Sequence, residues 1–443
     1  MPPQPPQDRG TFLVLSQVYV PDPASVGQHM ADAAAEMARR GYRVLVFASA
    51  RGFEDPSKKY KSRERIDGVE IIRFPLSSFG KQSIAMRLVG GMIFVLQCVV
   101  AGVFVHRLRG ILVSTSPPMC PIGAIVIALL RRVPITYWAM DLNPDQMIAM
   151  GLTKPTSTPA RVFDWMNRRI LKRAAAVVAL DRFMGERLEA KTPVGERMAI
   201  MPPWPHEEVE EPLKHEDNPF RVQHGLEGRF VVMYSGNHSI VHPITTVLEA
   251  AKRLRDDDRF VFMFIGGGLA KRDVEQAIAS GVAPNVRSLP YQPLETLRYS
   301  LSAADVHVVS VGDNMVGIVH PCKIYGAMAV GRPILLIGPD PCHASDILRD
   351  HPVGWHIKHG DVDGAVKALR EMADADPAAL DAMGRRAANL VATRFSKPTL
   401  MGAFCDTIER TMRRGSTHAT APGEHAEQTC GTTGSRRARK EAA

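Results

Sequence analysis

Lys323 stands beside residues suited to holding an anion. His320 and Pro321 precede it, Gly331 follows the short helical stretch 323–329, and apolar runs of strand length flank the unit at 306–311 (VHVVSV) and 334–337 (ILLI). A lysine at a helix start adds a full charge to the partial charge and N–H groups of that end, a combination that neutralises a phosphate or diphosphate. The same pattern fits an ordinary strand–helix–strand unit with a surface lysine, and the stretch by itself leaves the two open. Two further clusters share the arrangement. Gly236 and Asn237 follow the apolar run 230–234, and glycines 266–268 with Lys271 follow the run 260–265. Glycine at a strand's carboxyl end lets backbone approach a ligand and opens a nest of N–H groups. Asp141 follows the run 134–139, where catalytic carboxylates lie in open α/β sheets, although a lone aspartate also caps helices. Ser116 follows the run 111–114, ahead of Pro117 and Pro118, which suits substrate binding or a plain turn.

These residues need strand ends to stand on. Strand-like runs at 11–16, 42–48, 69–74, 111–114, 134–139 and 176–180 alternate with helical patterns at 29–40, 122–130, 161–173 and 182–188. That alternation predicts a parallel sheet with right-handed crossovers. A Pro-rich, acidic stretch, 201–213, then reads as a linker. A second set of strands follows at 230–234, 260–265, 285–289, 306–311 and 334–337. The chain divides into a polar N-terminus (1–10), a first doubly wound domain (11–203), a linker (204–216), a second doubly wound domain (217–396), and a last helix (397–413) expected to pack back on the first. A Thr/Gly/Arg-rich tail (414–443) reads as disordered. The charge-rich segment 58–65 (KKYKSRER) reads as a solvated loop.

With 443 residues and 45% hydrophobic content, the chain is long enough for two cores. Its six cysteines show neither metal-ligand nor disulfide spacing, which fits a reducing cytoplasm. The formal charge of +9 is uneven: 27 Lys and Arg stand against 16 Asp and Glu up to residue 200, and 28 against 30 after it. A basic half suits anionic lipid or a phosphorylated substrate, and the chain lacks the aromatic–basic platforms of nucleic-acid binders. The N-terminus has no apolar core of a signal peptide. Segment 88–105 (LVGGMIFVLQCVVAGVFV) fits a membrane-spanning helix, a buried helix, or one dipping into a membrane face.

Nine motifs, in order, resemble those of a GT-B glycosyltransferase of family 4, in the bacterial branch that includes fucosamine transferases of surface polysaccharides. They are PDPASVGQH (21–29), SPP (116–118), YWAMDLNPD (137–145), AAAVVALDRFM (174–184), MYSGNHSIVHP (233–243), FIGGGLAKRDVE (264–275), LPYQPLETL (289–297), LSAADVHVVS (301–310) and PCKIYGAMAVGRPIL (321–335). The resemblance implies two Rossmann-like domains facing across a cleft. It also implies retaining transfer of a hexose or N-acetylated amino sugar from a nucleotide diphosphate sugar such as a UDP-sugar. The acceptor would be lipid-linked or a glycan, on the cytoplasmic face of the inner membrane, with neither cofactor nor metal. By position, Gly236, Asn237, His242, Gly267, Lys271 and Lys323 would surround the diphosphate, with Pro290 and Tyr291 against the base. Gly27, His29 and Ser116 would lie on the acceptor side with Asp141 facing the sugar, and His320 and Tyr325 would supplement Lys323. Many members carry two glutamates, eight residues apart, where this chain has Ile318 and Gly326. Their contacts to sugar and ribose are therefore not carried over. A nucleotide-sugar 2-epimerase of the same fold and a non-catalytic nucleotide-sugar binder are the alternatives.

Overall fold

The computed structural model describes residues 9–22, 24–52, 57–77, 84–205 and 213–417. The N-terminus before Arg9, most of the linker and the tail after 417 lie outside the described residues.

The first lobe contains β1 (Thr11–Leu15), β2 (Arg43–Ser49), β3 (Arg63–Ile66), β4 (Val69–Phe74), β5 (Leu108–Ser114), β6 (Ile135–Trp138), β7 (Ala176–Ala179) and β8 (Met198–Ile200). Its helices are α1 (Ser25–Arg39), α2 (Ile84–Val103), α3 (Cys120–Arg131), α4 (Asp145–Ala149), α5 (Thr158–Arg173) and α6 (Arg182–Lys191). The second lobe contains β9 (Phe230–Ser235), β10 (Phe260–Ile265), β11 (Val286–Leu289), β12 (Val306–Ser310), β13 (Ile334–Ile337) and β14 (Gly354–Ile357). Its helices are α7 (Pro219–Gln223), α8 (Thr245–Arg253), α9 (Lys271–Ala279), α10 (Leu294–Ser302), α11 (Lys323–Ala329), α12 (His343–Asp350), α13 (Val362–Ala373) and α14 (Pro377–Leu390), and α15 (Lys397–Thr417) ends the described chain.

The sheets run β3-β4-β2-β1-β5-β6-β7-β8 and β11-β10-β9-β12-β13-β14. All strands are parallel except β3, which pairs antiparallel with β4. The central strands are buried at every position and mostly apolar, as strands covered by helices on both faces must be. In each sheet the chain reverses its direction of travel between two central neighbours: β1 beside β5, and β9 beside β12. Ligands bind at such switch points, outside the strands' carboxyl ends.

Three sequence expectations change. Residues 63–66 of the supposed charged loop form edge strand β3, because alternate side chains are half covered while the rest reach water. Helix α1 begins four residues earlier than its apolar pattern suggested, so Gly27 and His29 lie on the helix rather than at its entrance. No described helix is long and apolar enough to cross a membrane, which removes the spanning reading of 88–105. Helix α2 instead buries one side, including Phe94 and Cys98, and exposes the other.

Helix α15 lies against the first lobe, although it follows the second in sequence. Lys397 Nζ reaches Asp32 at 2.7 Å, Arg40 pairs with Asp406 at 2.6 Å, and the Phe404 ring packs tilted against Trp138 with centroids 4.2 Å apart. Trp204, at the start of the linker, also donates to Asp32, at 2.9 Å. The chain thus crosses between lobes twice, and both crossings are anchored on α1.

Candidate active site

The carboxyl end of β9 meets the start of α11, and the contact depends on a missing side chain. A Cβ on Gly236, whose φ is +125°, would lie 2.8 Å from Lys323 Cε. Lys323 therefore runs along the strand end, with Nζ 5.1 Å from the centroid of the Tyr234 ring. Its ammonium makes no hydrogen bond or ion pair among the described residues. Burial pushes its pKa down to about 8. The helix start itself presents few free amides. Those of Cys322, Ile324 and Tyr325 already turn on the carbonyls of His320, Pro321 and Cys322, so the expected ring of N–H groups is replaced by one lysine charge.

Glycines around this point are there for close packing between loops. A Cβ on Gly266 would meet Gly236 O at 2.0 Å, and one on Gly268 would meet Asn237 Oδ1 at 2.3 Å. The amides of Gly236 and Gly266 donate to Ile265 O and Leu289 O, at 2.9 and 3.0 Å. Asn237 stays exposed, and its carbonyl accepts from Tyr234 OH at 2.9 Å. Gly267 faces Tyr291, to which a Cβ would come within 3.0 Å. Pro290 and Tyr291 are exposed on the same rim.

Lys271 was expected beside Lys323. The structure gives it other work: Nζ donates to Gly266 O at 2.6 Å and Leu289 O at 2.7 Å, tying the ends of β10 and β11 together. His242 is likewise engaged. Its Nδ1 bonds Ser310 O at 2.7 Å, and burial with the nearby Lys323 charge drives its pKa down to about 3, so the ring is neutral.

Opposite α11, the first lobe contributes Asp141. Its backbone N–H donates to Thr115 Oγ1 at 3.2 Å, and Leu142 N–H donates across the lobes to Ile318 O at 3.2 Å. Burial raises the Asp141 carboxyl above the usual carboxylate range. The turn that carries Asp141 thus meets, across the lobes, the segment that leads into α11. Ser116 is half-buried at the end of β5, its carbonyl accepting from Gln17 N–H at 3.1 Å.

Three further expectations are corrected. His29 was placed on the acceptor side, but it is buried between Trp138 and Trp204. Its Nδ1 bonds Ser25 O and its Nε2 bonds Trp204 O, both at 2.8 Å. Gly27 packs on backbone, since a Cβ would meet Tyr19 at 3.1 Å. His320 and Tyr325 were expected to contact the donor, and both are buried. His320 Nδ1 bonds Asp181 Oδ2 at 2.8 Å, its Nε2 bonds Tyr325 OH at 2.8 Å, and that hydroxyl bonds His343 Nε2 at 2.7 Å. The four side chains form a strut joining the lobes, with no free edge on either His320 nitrogen. Burial opposes the charge on Asp181, but the His320 hydrogen bond holds its pKa below the usual range. Burial and His320 drive His343 down to about 3.

Asp181, His320 and His343 also offer ligand atoms within 4.8 Å of one another, close enough for a metal ion. Hydrogen bonds already satisfy the Asp181–His320 contact and place Tyr325 OH between the two imidazoles. Arg182 reinforces the strut from α6, its Nε donating to Asp346 at 2.7 Å. Sequence reasoning named neither Asp181 nor His343. The signal for Asp181 was its place directly after an apolar strand, where it caps α6 by accepting from Met184 N–H at 2.8 Å. His343 had no local signal.

Comparison with known proteins bears on both lobes. Residues 25–204 match the family described as Glycosyl transferase 4-like domain, and residues 216–389 match Glycosyl transferases group 1. The probable glycosyltransferase WbjE of Pseudomonas aeruginosa is 24% identical over 278 residues, covering 62% of this chain and 68% of that one. The putative colanic acid biosynthesis glycosyl transferase WcaI of Escherichia coli is 25% identical over 216 residues, 48% of this chain and about half (53%) of its own length. Among solved structures, Anabaena Alr3699/HepE in complex with UDP and glucose superposes with a TM-score of 0.67 at 15% identity, covering 90% of this chain and all of that one. At that identity the likeness concerns the fold.

Proposed function

Because the chain belongs to the GT-B glycosyltransferases, with a 4-like first domain and a group 1 second domain, we propose that it moves a sugar, with retention, from a UDP-sugar to a lipid-linked or glycan acceptor of the cell surface. The observation that carries this reading is the ammonium of Lys323, lying against Gly236 at the switch point of the second sheet with no partner among the described residues. Glycosyl transfer builds negative charge on the departing diphosphate, and a preorganised cation there stabilises the transition state. A diphosphate oxygen then takes the acceptor's proton on the face that the diphosphate leaves, which retains configuration. Asp141 opposes the positive charge that grows on the sugar when its carboxyl is ionised. Lysine supplies the charge that a divalent cation supplies elsewhere, so transfer needs no metal.

The sugar is a hexose or N-acetylated amino sugar, and the P-x-K-x-Y form of residues 321–325 favours the fucosamine-transferase-like branch. Work at the cytoplasmic face of the inner membrane follows from a lipid-linked acceptor. The test is a screen of nucleotide sugars with and without acceptor lipids, reading nucleoside diphosphate release. Acceptor-dependent release is expected. Interconversion of free nucleotide sugars without release means an epimerase, and binding with neither reaction means a non-catalytic protein.

A further inference from the structure

Helix α2 is apolar on both sides, yet only one side is covered. Phe94 and Cys98 are buried, and the helix lies along α3, where Cβ atoms on Gly91 and Gly102 would touch Met119 and Ile127. The numbering rises together along both helices, so they run parallel. On the other side Val89, Met92, Leu96, Val100 and Phe104 recur every three or four positions and stand exposed, Leu96 at 64% and Phe104 at 81%. Leu129 and Leu130 near the end of α3 are also more than half exposed, and the neighbouring Arg131 donates to Val103 O, which puts that end of α3 at the Phe104 end of the stripe. No described residue packs over this stripe. A helix that faces water carries polar residues there, and a contiguous apolar surface of this kind marks a binding face.

Charge identifies the occupant. From residue 71 to residue 140 the chain contains no Asp or Glu at all. The exposed Arg109 and Arg132 stand past the ends of α2 and α3. Helix α5, which packs on α3, adds exposed Arg161, Lys172 and Arg173 beside a half-exposed Trp165. An apolar stripe with a predominantly basic rim, where the Asp164 carboxylate of α5 is already paired with Arg168 and Lys191, complements a bilayer that is apolar within and anionic at its surface. It does not complement a second copy of itself, because the two basic rims would face each other.

We propose that the α2–α3 face docks on an anionic lipid membrane. The stripe enters the boundary between headgroups and acyl chains, and the surrounding arginines and lysines meet lipid phosphates. A helix that follows a parallel strand starts at the sheet's carboxyl edge, the edge that carries Asp141, so the docked stripe runs back from the rim of the cleft. Delivery of a lipid-borne acceptor to that rim rests on the transferase reading; the docking itself does not.

The test mixes the full chain with vesicles of phosphatidylglycerol and phosphatidylcholine and separates them by sedimentation. The chain should sediment with these vesicles and much less with phosphatidylcholine alone. Leu96→Glu combined with Phe104→Glu should weaken partition by about tenfold or more, with UDP affinity and far-ultraviolet circular dichroism unchanged. Val222→Glu, at an exposed apolar position on the second lobe, should leave partition unchanged. If the double variant does not fold, Phe104→Trp provides the second arm, and brominated acyl chains should quench its added fluorescence. Failure of the wild type to bind anionic vesicles, unchanged partition of a folded double variant, or absent quenching would overturn the proposal. So would a lipid-free dimer that the double variant splits. Loss of UDP binding without vesicles would count against the transferase reading alone.

Discussion

Two lysines stand at strand ends of the second sheet, a few residues from glycine loops, and the fold uses them in opposite ways. Lys271 gives two of its hydrogen bonds to backbone carbonyls and closes the gap between β10 and β11. Lys323 has a ring face and a glycine beside it and no acceptor among the described residues. A satisfied ammonium is a strut. An unsatisfied one, partly withdrawn from water, is a poised charge whose solvation is restored only when an anion arrives. The lesson is that lysine at a strand end is not by itself a ligand contact; what decides is whether nearby carbonyls reach it first.

The sharpest way to break this contrast is to remove each lysine. Lys323→Ala should lower the rate of nucleoside diphosphate release by about a hundredfold, measured at saturating acceptor. Loss comparable to that of Lys271→Ala would erase the distinction. Next comes pH. Lys323 titrates near 8, so the free protein holds the charge below that value and loses it above. UDP affinity measured by calorimetry should fall by about tenfold for each unit of pH above 8, and a flat profile to pH 10 would remove Lys323 from the diphosphate. Gly236→Ala places a Cβ against Lys323 Cε at a φ that L-residues avoid. It should weaken UDP by about tenfold or less while the protein stays folded.

The smallest effects are on stability, and here the two lysines should differ in sign. Lys271→Ala leaves Gly266 O and Leu289 O without that donor and should lower unfolding free energy by about 1–3 kcal/mol. Lys323→Ala should raise it by on the order of 1 kcal/mol at pH 7, after allowance for the part of Lys323 that water reaches. The sign follows because its pKa is lowered on folding. The charged form opposes folding fully below about 8, and the penalty fades as pH rises towards the ordinary lysine value. Thermal unfolding of both variants across pH 6–10 would check the pair.

Much of the architecture was legible in the residues. Apolar runs of four to seven, each followed by a turn and a helical period, give parallel strands because only strands covered on both faces can be apolar at every position. Strand ends are equally legible, and with them Gly236, Gly266–Gly268, Asp141 and Lys323, since glycine, proline and charge interrupt an apolar run abruptly. Edge strand β3 was harder to see. Its four residues, Arg63 to Ile66, include three charges, because an edge facing water has no need of an apolar pattern.

Where each side chain found its partner depended on contacts far apart in the chain, which no local pattern contains. His320 is 139 residues from Asp181, and His29 is 175 from Trp204, so both were read as site residues and both turned out to be buried struts. The exposed stripe of α2 was undetermined for the same reason. A helix that is apolar all round predicts burial on every side, and only the packed molecule shows which side received a neighbour. The chain alone determined where charges and glycines interrupt the strands; the tertiary structure decided which of those charges remain unpaired, because pairing depends on distance in space.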